Sequence, residues 1–464
     1  MFRRSSHQHG GRSAIAFMTD FRPARGTPRA GRVRGEECCH AASHRKTGCR
    51  SMSLDERSRP RTPRPYPATG GPDPVLRDRA VDGLRALALL AVPTGHWLVG
   101  GFVRDADSSL HNASPLSSFA PLAPITWVLQ MLGIFFLVGG YASVLSFRRA
   151  AERGATPGDW LRGRLARLLR PAVGVTAVWA VLAAVLYAAG VPVTTLHTAA
   201  TLVVQPLWFV GVYAMVTALT PYCMAASRRL GGWAAAPLAA VIAVMDFLRY
   251  GPFADSIPYW VTLISLIPGW MFGYQLGVSW GEKRLGRRGA WLLFAGGTAL
   301  FALLLLVFHY PASLVGVPGH DRTNSHPPSL LVIALAAAQS GAAILLRDRI
   351  ADLLRRPALW APVTAVNRSA MTILCWHQTA MLAIAVPASF VGTTVQGLTT
   401  APDFPTWMAT RLPWLPLFAV TLVLIARVAR RLETPWTGVS RGRRVCAGAL
   451  AVGFAAFALR LTLV

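Results

Sequence analysis

Charge is scarce in this chain. Asp, Glu, Lys and Arg make up only 14% of its 464 residues, against about 25% in a soluble domain. That deficit excludes an ordinary water-soluble fold and points to lipid. Cysteine is sparse too. Cys38, Cys39 and Cys49 lie in an arginine-rich N-terminal stretch, while Cys223, Cys375 and Cys446 stand singly in apolar runs. No disulfide framework is encoded. The cluster Cys38-Cys39-His40, His44 and Cys49 has zinc-type ligands at irregular spacing and reads as part of a tail, not as a metal site. No nucleophile elbow, P-loop, dinucleotide fingerprint or regular metal-ligand set is present. His320, Asp321 and His326 share one loop without a recognised ligand spacing. No signal-peptide apolar core stands in the N-terminal stretch, and no internal repeat is visible, which weakens an inverted-repeat transporter.

What is present is apolar length: 53% of the residues are hydrophobic. Residues 1–78 are rich in Arg, Pro, Gly and Ser with no apolar period and read as a disordered basic tail. The residues before Met52 resemble translated upstream sequence, which makes Met52 a second candidate start. Runs of membrane length then follow near 81–103, 125–147, 172–190, 204–225, 232–247, 259–280, 290–309, 329–346, 364–391, 413–429 and 444–463. The expected fold is all-α, a polytopic transmembrane bundle of about 10–11 spans. Residues 79–433 form its body and 434–464 an extra C-terminal transmembrane helix. The run at 364–391 is long enough to tilt or break near Pro387. Every second loop is basic, beginning with Arg148–Arg170, and the loops between are poor in Lys and Arg. The positive-inside rule places the N-terminus in the cytoplasm and the C-terminus outside the cell membrane. The formal charge of +27 then reports topology and anionic lipid, not nucleic acid.

The first span carries the most informative residues. His96 follows Arg85 by eleven positions, which at about 100° each puts both on one helical face, about 16 Å apart along the axis. Ionisable residues inside a span are costly and mark function by default. Asp82 adds a charge one turn before Arg85, and Pro93 removes the partner of the Leu89 carbonyl and predicts a kink below His96. Two readings stand for His96, a general base beside a cavity or a histidine bonded to a neighbouring helix. In lipid, with Arg85 on the same face, the first carries more weight. Arg164, Arg167 and Arg170 repeat at i, i+3 before Pro171. Such a stripe suits phosphate oxygens, and equally lipid headgroups. Trp208 and Tyr213 stand where interfacial aromatics are common. His377 sits inside a later span behind Ser369, and a structural hydrogen bond is its competing reading. In Gly133–Tyr141, small residues permit tight helix packing.

Taken in order, these elements resemble the acyltransferase-3 family of multi-pass membrane O-acyltransferases. The resemblance rests on Asp82-Gly83-Leu84-Arg85 with His96, on Phe135, Phe136, Gly140 and Tyr141, on Arg164, Arg167 and Pro171, on Leu207–Val210, and on Ser369 with His377. It departs from the family pattern at Gly139, where Ser is usual, and at Tyr213, where many bacterial members carry Glu. The resemblance implies an acyltransferase acting on groups other than aminoacyl. Acyl-CoA, most often acetyl-CoA, would be its co-substrate, with no permanently bound cofactor or metal. Arg164, Arg167 and Arg170 would meet the CoA phosphates. His96 would act as base or acyl carrier, Arg85 would fix the donor, and Asp82 would orient Arg85. Trp208, Tyr213, Ser369 and His377 would line the acceptor path or support it. The implied acceptor is a carbohydrate, glycolipid or glycosylated small molecule. A fused esterase-like domain is absent, so any acyl relay falls to a separate extracytoplasmic protein. A flippase of acylated or glycosylated lipid and an inactive envelope scaffold are the rival readings.

Overall fold

The computed structural model describes residues 78–252, 258–317, 323–433 and 440–463. The expected tail up to residue 77, with its Cys38–Cys49 cluster and Met52, and the loop residues His320 and Asp321 lie outside the described residues.

Helix α1 (Arg79–Val99) begins at Asp78, whose carboxylate accepts the backbone N–H groups of Ala80 and Val81 at 3.1 and 3.3 Å. The carboxylate thus serves two of the orphan donors of a helix start. The helix runs through Pro93 without a break. It ends at Val99, four residues before the expected limit of the span, and a hairpin follows. Strands β1 (Gly101–Arg104) and β2 (Leu110–Ala113) pair antiparallel, Gly101 opposite Ala113. Phe102 and Leu110 are buried, so the hairpin folds down onto the bundle. Short α2 (Pro115–Ser118) and α3 (Pro124–Leu129) lead into α4 (Leu132–Glu152). A reciprocal cap between Thr156 and Asp159 starts α5 (Pro157–Ala188), which carries the whole arginine run.

Helices α6 (Val193–Val204) and α7 (Trp208–Ala218) are joined by a tight turn, and α8 (Thr220–Leu230) and α9 (Ala236–Tyr250) follow. Next come α10 (Tyr259–Thr262), α11 (Leu266–Gly281) and α12 (Arg287–Leu306), then α13 (Leu330–Leu345) and α14 (Arg347–Leu353). The chain closes with α15 (Pro357–Arg368), α16 (Ala370–Ser389), α17 (Thr406–Arg411), α18 (Trp414–Glu433) and α19 (Arg441–Leu463). The break expected near Pro387 lies instead at Ser369, between α15 and α16. Pro387 falls in the last turn of α16, where its missing N–H disturbs little.

By length and composition, seven helices can cross a membrane, or eight if α13 and α14, bent by 57°, form one span. The described bundle is therefore all-α and polytopic, with fewer spans by this measure than the eleven apolar runs suggest. The α6–α7 and α8–α9 pairs redraw the expected runs at 204–225 and 232–247 without changing their number. The difference in number has physical sources elsewhere. Helix α11 has 16 residues and is buried along nearly its whole length. Asp82, Arg85 and His96 dilute the apolar character of α1, which packs inside the bundle against α4, α15 and α16.

Close backbone approach sets the centre. A Cβ added at Gly140 of α4 would collide with the Tyr274 carbonyl of α11, and one at Gly277 with the Leu137 carbonyl. Only glycine lets the two helices meet there, the small-residue packing that replaces the hydrophobic effect in lipid. The two ends of the bundle differ. At the basic end, Asp78 also accepts from Arg347 at 2.9 Å and from the Tyr141 hydroxyl at 3.2 Å. At the opposite end lie the hairpin, α3, the turn before α7 and the loop preceding α13.

Candidate active site

The last turns of α1 bring His96 to a cavity of about 250 Å³ at the hairpin end. Gly95 widens it, as residues small enough for a ligand to approach the helix do. Its polar lining includes Asn112 from β2, Ser114 just after it, Gln130 just after α3, Gln205, Ser325 and Gln378. Among the described residues, no Lys, Arg, Asp or Glu lines the cavity. It offers amides, hydroxyls and imidazoles, an uncharged set that can both donate and accept.

Behind His96 stands His377, fully buried on α16, with ring centroids 5.1 Å apart and planes tilted by 40°. Nδ1 of His377 lies 2.9 Å from the Leu374 carbonyl. A carbonyl only accepts, so that nitrogen carries the proton and Nε2 keeps a lone pair. Nε2 has no partner among the described residues, nor has Oε1 of Gln378, the next residue and a wall of the cavity. Trp97 donates its indole N–H to the His377 carbonyl at 3.0 Å and ties α1 to α16 beside the pair.

Sequence reasoning missed Arg411. It is fully buried. Nε donates to the Trp97 carbonyl at 2.7 Å, Nη1 to Gly397 at 2.9 Å, and Nη2 to Gly100 at 2.7 Å and the Met381 sulfur at 3.0 Å. The guanidinium lies over the rings of Phe418 and Trp407, at 4.8 and 5.4 Å. Two of those carbonyls belong to the end of α1, where helical carbonyls lack partners and a cation is favoured. Arg411 therefore fixes the turn that bears His96. The available signal was a lone arginine in the otherwise Lys- and Arg-free stretch 392–426.

The remaining candidates lie elsewhere. The Asp82 carbonyl accepts from Asn367 at 2.8 Å at the basic end. Arg85 is half-buried and makes no hydrogen bond or ion pair among the described residues; it does not line the cavity. Arg164 turns inward, donating to the Ser143 hydroxyl at 2.9 Å and lying 5.7 Å from the Trp160 ring. Arg167 is exposed and donates to its own helix at Gly163, and Arg170 is half-buried. The three do not present one free face. Ser369 is bonded by Arg430 where α15 meets α16. Trp208 does line the cavity, edge-on to His326 at 4.8 Å. Among the described residues, no three His, Cys, Asp or Glu side chains gather as metal ligands.

A family model described as an acyltransferase domain, the acyltransferase-3 type, matches residues 78–430. The chain belongs to that family. It is a membrane acyltransferase of several spans. None of the curated proteins and none of the solved structures compared with it matches. The two departures from the acyltransferase-3 pattern meet in space. Tyr213 packs among Phe135, Phe136 and Phe209, and a Cβ at position 139 would stand 2.6 Å from its hydroxyl oxygen. Gly139 makes the room that Tyr213 fills. Tyr213 does not line the cavity.

Proposed function

We propose that this acyltransferase moves an acyl group, acetyl in the simplest case, from acyl-CoA to a hydroxyl of a carbohydrate or glycosylated acceptor. One observation carries the reading: His96 faces an uncharged cavity of amides and hydroxyls with a second imidazole behind it. The neutral lining suits a polyhydroxylated acceptor, whose hydroxyls can replace water at each polar wall group. His96 takes the acceptor proton as the oxygen attacks the thioester carbonyl. The C–O bond forms, the C–S bond breaks, and the CoA sulfur leaves with the proton that His96 returns. His377, its proton held toward Leu374, offers Nε2 as the group that orients or shares charge with the His96 ring.

The CoA phosphates have no cationic partner in this cavity and belong at the basic end. There Arg167 and Arg170 would bind them, Arg164 would brace α5, and Arg85 would guide the acyl arm along α1 with Asp82 beside it. Under the positive-inside rule that end is cytoplasmic, so donor and acceptor approach a cell-membrane protein from opposite sides. Any relay of the acyl group beyond the membrane would need a separate protein. Purified protein in lipid nanodiscs, given labelled acetyl-CoA and an acceptor, should release CoA. Equal release from wild type and His96→Ala would remove His96 from the chemistry, and no release at all would favour a flippase or scaffold.

A further inference from the structure

His326 belongs to none of the motifs that carry the resemblance, yet it lines the same cavity as His96. The two are the only ionisable side chains in that lining among the described residues. Their positions differ. His96 projects from α1, whereas His326 is exposed at the wall built by the loop before α13.

The segment around His326 is made to hold it still. Asn324, Ser325, Pro327, Pro328 and Ser329 are all buried, and His326 alone among them is exposed. The Asn324 amide donates to the Pro311 and Ser313 carbonyls at 2.7 and 2.8 Å, and its oxygen accepts from the Ser329 hydroxyl at 2.7 Å. The Ser325 hydroxyl donates to the Leu314 carbonyl and accepts from the Gln130 amide at 3.3 Å. Arg249 reaches from α9 to the carbonyls of Pro327 and Thr323, at 3.3 and 3.4 Å. These bonds satisfy the backbone on both sides and leave the imidazole to the cavity. The Trp208 ring stands edge-on to it at 4.8 Å. A rigid, buried segment presenting one polar ring is costly to build and characteristic of a binding contact. The charged and titratable groups around it are His96 on α1, Arg249, and Asp246, which accepts from the Leu330 N–H at 2.6 Å and from the Tyr310 hydroxyl at 3.0 Å.

We propose that His326 is the acceptor-side specificity contact, hydrogen-bonding hydroxyls of a neutral polyol so that one of them reaches His96. A neutral imidazole offers one N–H and one lone pair, which matches a neighbouring pair of hydroxyls that each donate and accept. Carboxylate-bearing sugars gain nothing there, because the lining holds no fixed cation. This rests on the acyl-transfer reading above.

The test uses the full chain in lipid nanodiscs with acetyl-CoA and methyl β-D-glucoside as the hydroxyl probe. CoA thiol release and acetylated glucoside are both measured. His326→Ala should raise the apparent KM for the glucoside about tenfold, the effect of losing roughly 1.4 kcal/mol of binding, and leave the KM for acetyl-CoA unchanged. His326→Gln, which keeps a donor and an acceptor, should recover most of the loss. An unchanged glucoside KM in His326→Ala, or an equal loss toward both substrates, overturns the assignment. Contact is also read without turnover. In the His96→Ala protein, methyl β-D-glucoside should slow diethyl pyrocarbonate modification of His326, followed by peptide mass spectrometry. Absence of protection overturns the proposal. Protection without any CoA release from wild type would uphold the contact and refute acyl transfer.

Discussion

Arg411→Met replaces a buried cation by an apolar chain of similar length. In the wild type the guanidinium supplies donors to three backbone carbonyls, those of Trp97, Gly100 and Gly397. Methionine fills much of the space and supplies no donor. Each buried carbonyl left without a partner costs about 1–3 kcal/mol, partly offset because the cation's own desolvation disappears. The net loss expected is about 3–5 kcal/mol, the range seen when one partner of a buried charged network is removed. Arg411→Lys is not conservative, since one ammonium cannot reach carbonyls at the end of α1 and at Gly397 together with fork geometry. It should lose about 1–3 kcal/mol. Chemical unfolding in mixed micelles, followed by tryptophan fluorescence, measures both. CoA release in nanodiscs should fall in parallel, because the freed turn carries His96. A loss below about 1 kcal/mol for Arg411→Met, or a folded Arg411→Met protein with wild-type turnover, would refute the claim that Arg411 holds that turn.

Gly139→Ser should lose about 1–3 kcal/mol through overpacking. In a Tyr213→Ala background most of that loss should vanish in a double-mutant cycle; additive effects would separate the two positions. Arg167→Ala should raise the KM for acetyl-CoA roughly tenfold, the loss of one charge-assisted contact, with stability unchanged. Arg164→Ala should also destabilise, because it removes the guanidinium donor from the buried Ser143 hydroxyl; an acetyl-CoA KM that neither change moves would return the run to lipid contact. In the hairpin turn, the Ser109 hydroxyl and N–H hold the fully exposed Asp107 carboxyl below its ordinary range. A depressed folded value means that its contribution is present at neutral pH and lost as pH falls through that value. The protection of the Ser109 amide, its exchange relative to the intrinsic rate at each pH, should therefore fall on acidification, and Asp107→Asn should remove that pH dependence.

The site was legible in part, for reasons that differ residue by residue. His96 stood out because an ionisable group in an apolar helix is costly wherever its neighbours lie. The Gly139-Gly140 pair announced close packing, and the α4–α11 approach realises it at Gly140. The arginine stripe was legible only as spacing. Spacing places Arg164 and Arg167 near each other but says nothing of which one a neighbouring helix engages. Pro387 looked like the breaking point of the late span, yet the chain breaks at Ser369, where Arg430 from another helix holds the junction. His326 drew no role, because its loop has no periodicity to interpret.

Composition and apolar run length alone determined that this is an all-α membrane bundle, and local charge placed Arg85 and His96 on its first helix. Those properties belong to single segments, so a segment suffices to read them. Only the tertiary structure decided which groups meet: His96 with His377, His326 across the cavity, and Arg411 on a carbonyl 314 residues away at Trp97. Burial removes the water that would otherwise satisfy such groups, so their partners are chosen by packing between distant helices, and no local pattern records that choice.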